Sequence, residues 1–400
     1  MKLLLLADIP PCSNYTGGVV LAEQIRMMGE HDLAAFIVLN PDLTPGYYPD
    51  LDHIPMKIVE KPREAGLWDL GLDAAIERER INATVRCSEL VEAAVAFGRE
   101  HRIEGVWSIL EGQTIVRMAL RVATELGVPL YSQVWDPLSW WLKAHKVDPV
   151  NSVEALTRFD EALSGSRACA TASWAMAEHY AVAYGTPCVP VISSLDPSVG
   201  QRPAPSLRDP NEVVIGMVGQ FYAQDAWTAL VDGLNDARWR IGTREVRVYY
   251  LGHEPPRTLP EDRLIYGGWM SQPDAIAALS RHADICYCPY PFDADFQEVA
   301  RLSFPSKAVM YLAAGRPVIC HAPLYASPAI YFNRNQAALV CGDVHASSIY
   351  EMLRWVVSHP EVYEKLCMAS QQAFHDDFTT GTLRSSLRRF FSEPAQKAAK

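Results

Sequence analysis

The sequence predicts an α/β chain of two domains, each built on a mostly parallel sheet with helices packed against it. Three observations carry that expectation. Apolar runs of strand length alternate with helix-length segments along the chain, the pattern of successive βαβ units. At 400 residues the chain exceeds one ordinary core. The alternation also stops between Ser193 and Asn211, in a stretch that includes Arg202-Pro203-Ala204-Pro205-Ser206, and then resumes.

In the first half, strands are expected at 2–7, 34–39, 105–109 and 130–134, with a short one near 168–171. Residues 88–101 carry Leu90, Val91, Ala94 and Phe97 at close to a 3.6-residue period, and 116–126 behaves similarly, so both are expected as helices. The second half repeats the scheme, with strands at 213–218, 246–251, 263–266, 285–288 and 317–320. These spans set the domains at residues 1–195 and 212–373, joined by a linker over 196–211. A closing amphipathic segment over 374–392 presents Leu383, Leu387 and Phe391 on one face, and residues 395–400 are expected to fray.

Composition excludes several classes. Hydrophobic residues at 49% and charged residues at 21% are globular values, not those of a disordered chain. The net charge of −11 argues against a phosphate-backbone partner. Residues 1–190 hold 16 Lys and Arg against 25 Asp and Glu, so they carry −9 of that charge, which also disfavours docking on anionic lipid. The apolar run Leu3–Leu6 ends at Asp8, too short for a signal-peptide core, and no run reaches the roughly 18 apolar residues that span a bilayer. The expected location is therefore cytoplasmic. Nine cysteines without a Cys-x-x-Cys pair suggest neither a zinc site nor a disulfide framework, so no metal is expected.

The most informative segment is Ser303-Phe304-Pro305-Ser306-Lys307, which runs through Gly315-Arg316-Pro317-Val318. Ser306 is expected to cap a helix beginning at Lys307, and Gly315 with Pro317 to end it. A lysine in the first turn opposes the positive end of its own helix unless an anion binds both, so the spot suits a diphosphate. Taken alone, the pattern also describes an ordinary surface lysine.

Read with its neighbours, the second half resembles the nucleotide-sugar-binding domain of the GT-B glycosyltransferases, in particular their large retaining family 4. The pieces fall in family order: Gly216-Met217-Val218-Gly219, Tyr250-Leu251-Gly252, Gly267-Gly268-Trp269, the Ala283-to-Pro289 strand, and the Phe-Pro-Ser-Lys to Gly-Arg-Pro-Val segment. The first half resembles the same family through Gly17-Gly18 after the first strand and Ser173-Trp174-Ala175-Met176 at a helix start. The resemblance implies two Rossmann-like domains facing each other across a cleft, with the acceptor on the first, the donor nucleotide on the second, and the final helix crossing back onto the first domain. It implies sugar transfer from a UDP- or GDP-sugar to a glycan or lipid-linked acceptor, without a metal and without a cofactor besides the donor. Peripheral membrane attachment stays open.

On that resemblance, Lys307 and the amides around Ser306 would hold the leaving diphosphate, with Gly17, Gly18 and Gly219 allowing close backbone approach. His253 and Trp269 would contact the nucleotide, or equally be ordinary loop residues. Asp136, in Val134-Trp135-Asp136-Pro137, stands where many relatives have His-Asp, Trp135 replacing the histidine. Glu111 follows another strand end. Both are candidate catalytic carboxylates, with helix capping as the alternative for each. The sequence also departs from the family: Gln220 and Asp225 occupy places where Arg and Lys are usual, and Leu302 and Met310 stand where two glutamates are usual, the second of them a ribose ligand. Glu298, or Asp293 and Asp295, lies close enough in sequence to substitute. A catalytically degenerate scaffold and a nucleotide-sugar epimerase are the alternative functions.

Overall fold

The computed structural model describes residues 1–29, 31–64, 70–219, 222–255 and 258–392. They form two compact units, one of Met1–Ile192 with the segment from Leu383 onward, the other of Ser193–Thr382.

The first unit is built on seven strands: β1 (Lys2–Ala7), β2 (Asp32–Leu39), β3 (Met56–Glu60), β4 (Gly105–Ile109), β5 (Leu130–Val134), β6 (Ala168–Thr171) and β7 (Cys188–Pro190). Their order is β3-β2-β1-β4-β5-β6-β7, and every pairing is parallel. The central strands are apolar on both faces because helices cover both: Leu3, Leu4, Leu5 and Leu6 of β1 are all fully buried. The order reverses direction between β1 and β4, a topological switch point at whose carboxyl edge ligands of such sheets bind.

The second unit repeats the design with β8 (Glu212–Val218), β9 (Arg240–Ile241), β10 (Arg244–Leu251), β11 (Leu264–Gly268), β12 (Ile285–Pro289), β13 (Val318–His321) and β14 (Leu339–Cys341). The order is β11-β10-β8-β12-β13-β14, all parallel, with β9 adding a short antiparallel pairing to β10. Its switch point lies between β8 and β12.

The stretch 196–211 belongs to the second unit and is held to it. Gln201 N donates to Ala313 O at 2.7 Å and Ala204 N to Gly315 O at 3.0 Å. Gly315 is required there: its φ is +66°, and a Cβ would sit 2.5 Å from Arg202 O. The closing segment 374–392 is not one helix. A helix over Pro360–Asp377 stops, and a second runs over Thr380–Phe391. Between them the backbone pairs with Leu195, Leu195 N donating to Phe378 O at 2.8 Å and Thr380 N to Leu195 O at 2.9 Å.

That last helix completes the first unit. Leu383, Leu387, Phe390 and Phe391 lie on one face at i, i+4, i+7 and i+8 and are buried with Trp107, Tyr131 and Ala170. The Phe390 ring meets Tyr131 edge-on at 5.7 Å, and Phe391 meets Trp107 at 5.7 Å. Phe390→Ala is expected to destabilise the protein by about 3–5 kcal/mol through the cavity it leaves. Urea unfolding followed by near-UV circular dichroism measures it.

Candidate functional site

In the second unit, chemistry gathers at the carboxyl edge of the sheet. β8 ends at Val218, and Gly219 turns the chain with φ +83°, its N–H donating to Leu251 O at 2.8 Å. Tyr311, buried on the helix Ser306–Ala313, accepts from Val218 N at 2.9 Å, and Tyr250 Oη donates to Gly219 O at 2.8 Å. This turn brings Gly219 against Lys307, whose Nζ lies 4.0 Å from where a Cβ on Gly219 would be. Lys307 Nζ also stands 4.5 Å from the centroid of the Tyr222 ring. Burial pushes the Lys307 ammonium down to about 8.

Ser306 does not cap this helix. It is the first helical residue and is exposed, and Pro305 takes the cap position without a side-chain bond to the helix. Proline with its fixed φ suits the entry to a helix but has no side-chain acceptor to offer. A cavity of about 10 Å³ lies between Gly219, Tyr222, Pro289 and Lys307, room for about one water. A diphosphate reaching Lys307 would therefore sit on the outer rim. Gln220 lies outside the described residues.

The departures from the family pattern have structural reasons. Asp225, in the first turn of the helix Gln224–Asp236, accepts from Ala226 N at 2.8 Å and Phe292 N at 2.7 Å, so it ties the loop after β12 to the loop after β8. Met310 and Leu302 are buried apolar residues. Glu298 is exposed in the first turn of Gln297–Leu302; Asp293 accepts from Asp295 N at 2.8 Å and shapes its own loop. His253 and Trp269, 16 residues apart, come together at the ends of β10 and β11: their rings stack at 5.9 Å with 19° between planes, and Trp269 is 65% exposed. That is a flat aromatic platform of the kind on which a base stacks.

In the first unit, Gly17 and Gly18 fall in the first turn of the helix Thr16–Met27, not in a loop. Close packing requires them. A Cβ on Gly17 would meet the Trp135 ring at 2.9 Å, and one on Gly18 would meet Cys12 Sγ at 2.2 Å. No side chain caps this helix, and Trp135 Nε1, beside it, is buried with no hydrogen-bond partner among the described residues. Ser173 Oγ accepts from Met176 N at 2.9 Å, so the Ser-x-x-Met pattern is a helix cap.

Glu111 and Asp136 follow β4 and β5 at the carboxyl edge of this sheet. Glu111 does not cap the following helix through its side chain. Glu111 occupies the cap position of Gly112–Leu126 without a side-chain bond, and Pro137 holds the cap position of Leu138–Ala144. Helix Gly112–Leu126 is instead capped by Glu64, which accepts from Gln113 N at 3.1 Å and also from Thr114 N. Lys61 Nζ bonds Asp8 at 3.0 Å and approaches Glu64 at 3.3 Å. Burial works against the Lys61 charge, but the Glu64 and Asp8 carboxylates outweigh it and hold the ammonium above the usual lysine range. Burial pushes Glu111 up to about 8, with Asp8, Asp136 and Glu64 adding to the rise and Lys61 opposing it.

Asp8, Lys61 and Glu64 were not among the residues the sequence singled out. Asp8 follows β1 as Asp136 follows β5, a signal the sequence carries; Lys61 and Glu64 follow β3, whose apolar pattern is too weak to read. A larger cavity, about 240 Å³, runs along the helix Gly112–Leu126 toward its far end, where Arg117 and Arg158 are paired with Glu154 and Glu161. Among the described residues no cluster of His, Cys, Asp and Glu is arranged to hold a metal ion, and no helix is long and apolar enough to cross a membrane.

No family model matches the chain, and no curated protein matches it significantly. Solved structures match its fold over nearly the whole length. Sucrose-phosphate synthase from Thermosynechococcus elongatus superposes with a TM-score of 0.66 at 12% identity, covering 98% of each chain. The lipopolysaccharide outer core galactosyltransferase WaaB gives 0.63 at 14%, covering 98% of this chain and 99% of that one. Anabaena HepE, solved in complex with UDP and glucose, gives 0.60 at 13%, covering 96% and 98%. The fold is thus the GT-B fold, two Rossmann-like domains, as the motif order implied.

Glu111 bears directly on stability. A carboxyl whose folded value lies above its unfolded one stabilises the protein fully below the unfolded value, near 4.5, and loses that contribution as pH rises through about 8. Glu23 and Glu79, each raised by burial to about 7, act in the same direction. The melting temperature is therefore expected to fall between pH 5 and 8. In Glu111→Gln the fall is expected to be shallower, above all between 7 and 8, as differential scanning fluorimetry across that range reads out.

Proposed function

We propose that the chain is a glycosyltransferase that moves a sugar from a nucleoside-diphosphate sugar to a hydroxyl of a glycan or lipid-linked acceptor, with retention of configuration and without a metal. One observation carries the reading: a lysine held in the first turn of a helix at the carboxyl edge of the second sheet, on a fold shared with sugar-nucleotide enzymes. An ammonium depressed to about 8 by burial gains most from an anion at that spot, and the start of the helix Ser306–Ala313, with Pro305 at its cap position, favours negative charge there too. HepE, with the same fold, was solved with UDP and glucose, which supports a diphosphate as the anion.

The chemistry asks for two things. The bond between the sugar C1 and the β-phosphate oxygen breaks, and the negative charge left on the nucleoside diphosphate falls to Lys307 and the helix amides. The acceptor oxygen bonds to C1 on the face from which the phosphate departs, so the configuration is kept, and its proton passes to a carboxylate of the first unit. Glu111 is that base, and Asp136, exposed at the neighbouring strand end, orients the acceptor hydroxyl. His253 and Trp269 form the base platform, and Gly17 and Gly18 let the amides at the start of Thr16–Met27 approach the sugar.

Titration of the protein with UDP, GDP, ADP and CMP is expected to raise its melting temperature with at least one diphosphate. Lys307→Met is expected to weaken that binding about 10- to 100-fold, the worth of one hydrogen bond to a charged group. Binding is also expected to weaken as pH rises through 8 and the free ammonium loses its proton. Transfer is expected to persist in EDTA. A folded protein that no nucleotide stabilises and that transfers nothing across a broad donor and acceptor panel contradicts the reading.

A further inference from the structure

We propose that Lys61, clamped between Asp8 and Glu64, is a positioning residue for transfer, fixing Glu111 at the edge of the first sheet and supplying the positive charge against which it exchanges a proton. The inference rests on the transferase reading, in which Glu111 is the base.

The geometry ties the four residues together from three elements. Asp8 follows β1, Lys61 and Glu64 follow β3, and Glu111 follows β4. Lys61 Nζ is 3.0 Å from Asp8 Oδ2 and 3.3 Å from Glu64 Oε2, and its side chain is 11% exposed. Glu64 in turn accepts from the Gln113 and Thr114 amides, so the clamp ends on the first turn of the helix for which Glu111 is the cap residue. Gly112 between them has φ +71°, and a Cβ there would lie 3.0 Å from Lys61 Nζ and 2.8 Å from Glu64 Oε2. Lys61 therefore packs against the peptide that carries Glu111. The Trp141 ring, 5.7 Å from Nζ, walls the ammonium on another side.

The charges follow from this packing. The groups that act on Glu111 are Asp8, Glu64 and Asp136, which oppose its ionisation, and Lys61, which favours it. Without Lys61 three carboxylates would face Glu111 uncompensated, and it would release its proton only at higher pH. With Lys61 it can release and regain a proton near neutrality, which a base for a sugar hydroxyl needs. Lys61 contacts no reacting atom in this arrangement; it acts through Glu111.

The test reads Glu111 by carboxyl carbon NMR in the full chain without substrate, with Glu111→Gln identifying the resonance. Lys61→Met is expected to move the titration of Glu111 up by about one pH unit or more, and Lys61→Arg to restore it. Glu64→Gln, which keeps an acceptor for the helix amides, leaves more of the Lys61 charge for Glu111 and is expected to move the titration down. In the active enzyme the acid limb of the pH–rate profile is expected to move the same way in each variant. A Glu111 titration unmoved in Lys61→Met, or moved up in Glu64→Gln, overturns the proposal. If Lys61→Met fails to fold, Lys61→Gln, which keeps a polar side chain without the charge, is read in its place by the same criterion. Because the NMR reading needs no turnover, a chain that transfers nothing while Glu111 responds as expected overturns the activity and keeps the clamp.

Discussion

Parallel pairing is the constraint on which the rest depends. When neighbouring strands all run the same way, each strand hands over to its helix at the same edge of the sheet, and each helix begins there with amides that no carbonyl of its own can satisfy. Two sheets built this way, of order β3-β2-β1-β4-β5-β6-β7 and β11-β10-β8-β12-β13-β14, each gather their unsatisfied donors and their strand-end side chains along one line. What occupies that line decides what each unit can do.

The two lines are filled with opposite chemistry. In the first unit Asp8, Glu111 and Asp136 end three strands, Glu64 caps a helix, and Lys61 is the cation among them. In the second, Lys307 stands at a helix start with Pro305 at its cap position, beside a glycine turn and an aromatic pair. The charge asymmetry of the chain, −9 of −11 within residues 1–190, has the same sense. On the proposed transfer reading, the first offers somewhere for a proton to go and the second somewhere for a departing anion to rest. The cost of each is visible as a group displaced from its ordinary ionisation, Glu111 upward and Lys307 downward.

Strands buried on both faces were legible in the sequence. β1, β4, β5 and β6 coincide with their expected spans, because a short apolar run bounded by turns has few other uses. β3, β7, β9 and β14 were missed; they are sheet-edge or two- to three-residue strands, and β3 carries the exposed residues Lys57 and Ile58. That loss hid the clamp, since Lys61 and Glu64 depend on β3 and reach residues about 50 positions away. Lys307, Glu111 and Asp136 could be singled out as candidates because each sits directly after a readable boundary. Ser306 was misread as a cap because its residue type suits the role, while Pro305 holds the position. Asp225 and Met310 looked like lost ligands, and the fold employs one as a tie between loops and the other in the core.

The central claim is that Lys307 is held partly desolvated for a phosphate. Nitrogen-detected NMR of the Lys307 ammonium, titrated with pH in the free protein and with UDP bound, tests it most directly. The account predicts a midpoint near 8 in the free protein that rises by about one to two pH units when the diphosphate arrives, because the anion favours the charged form. A midpoint that UDP binding leaves unchanged contradicts it.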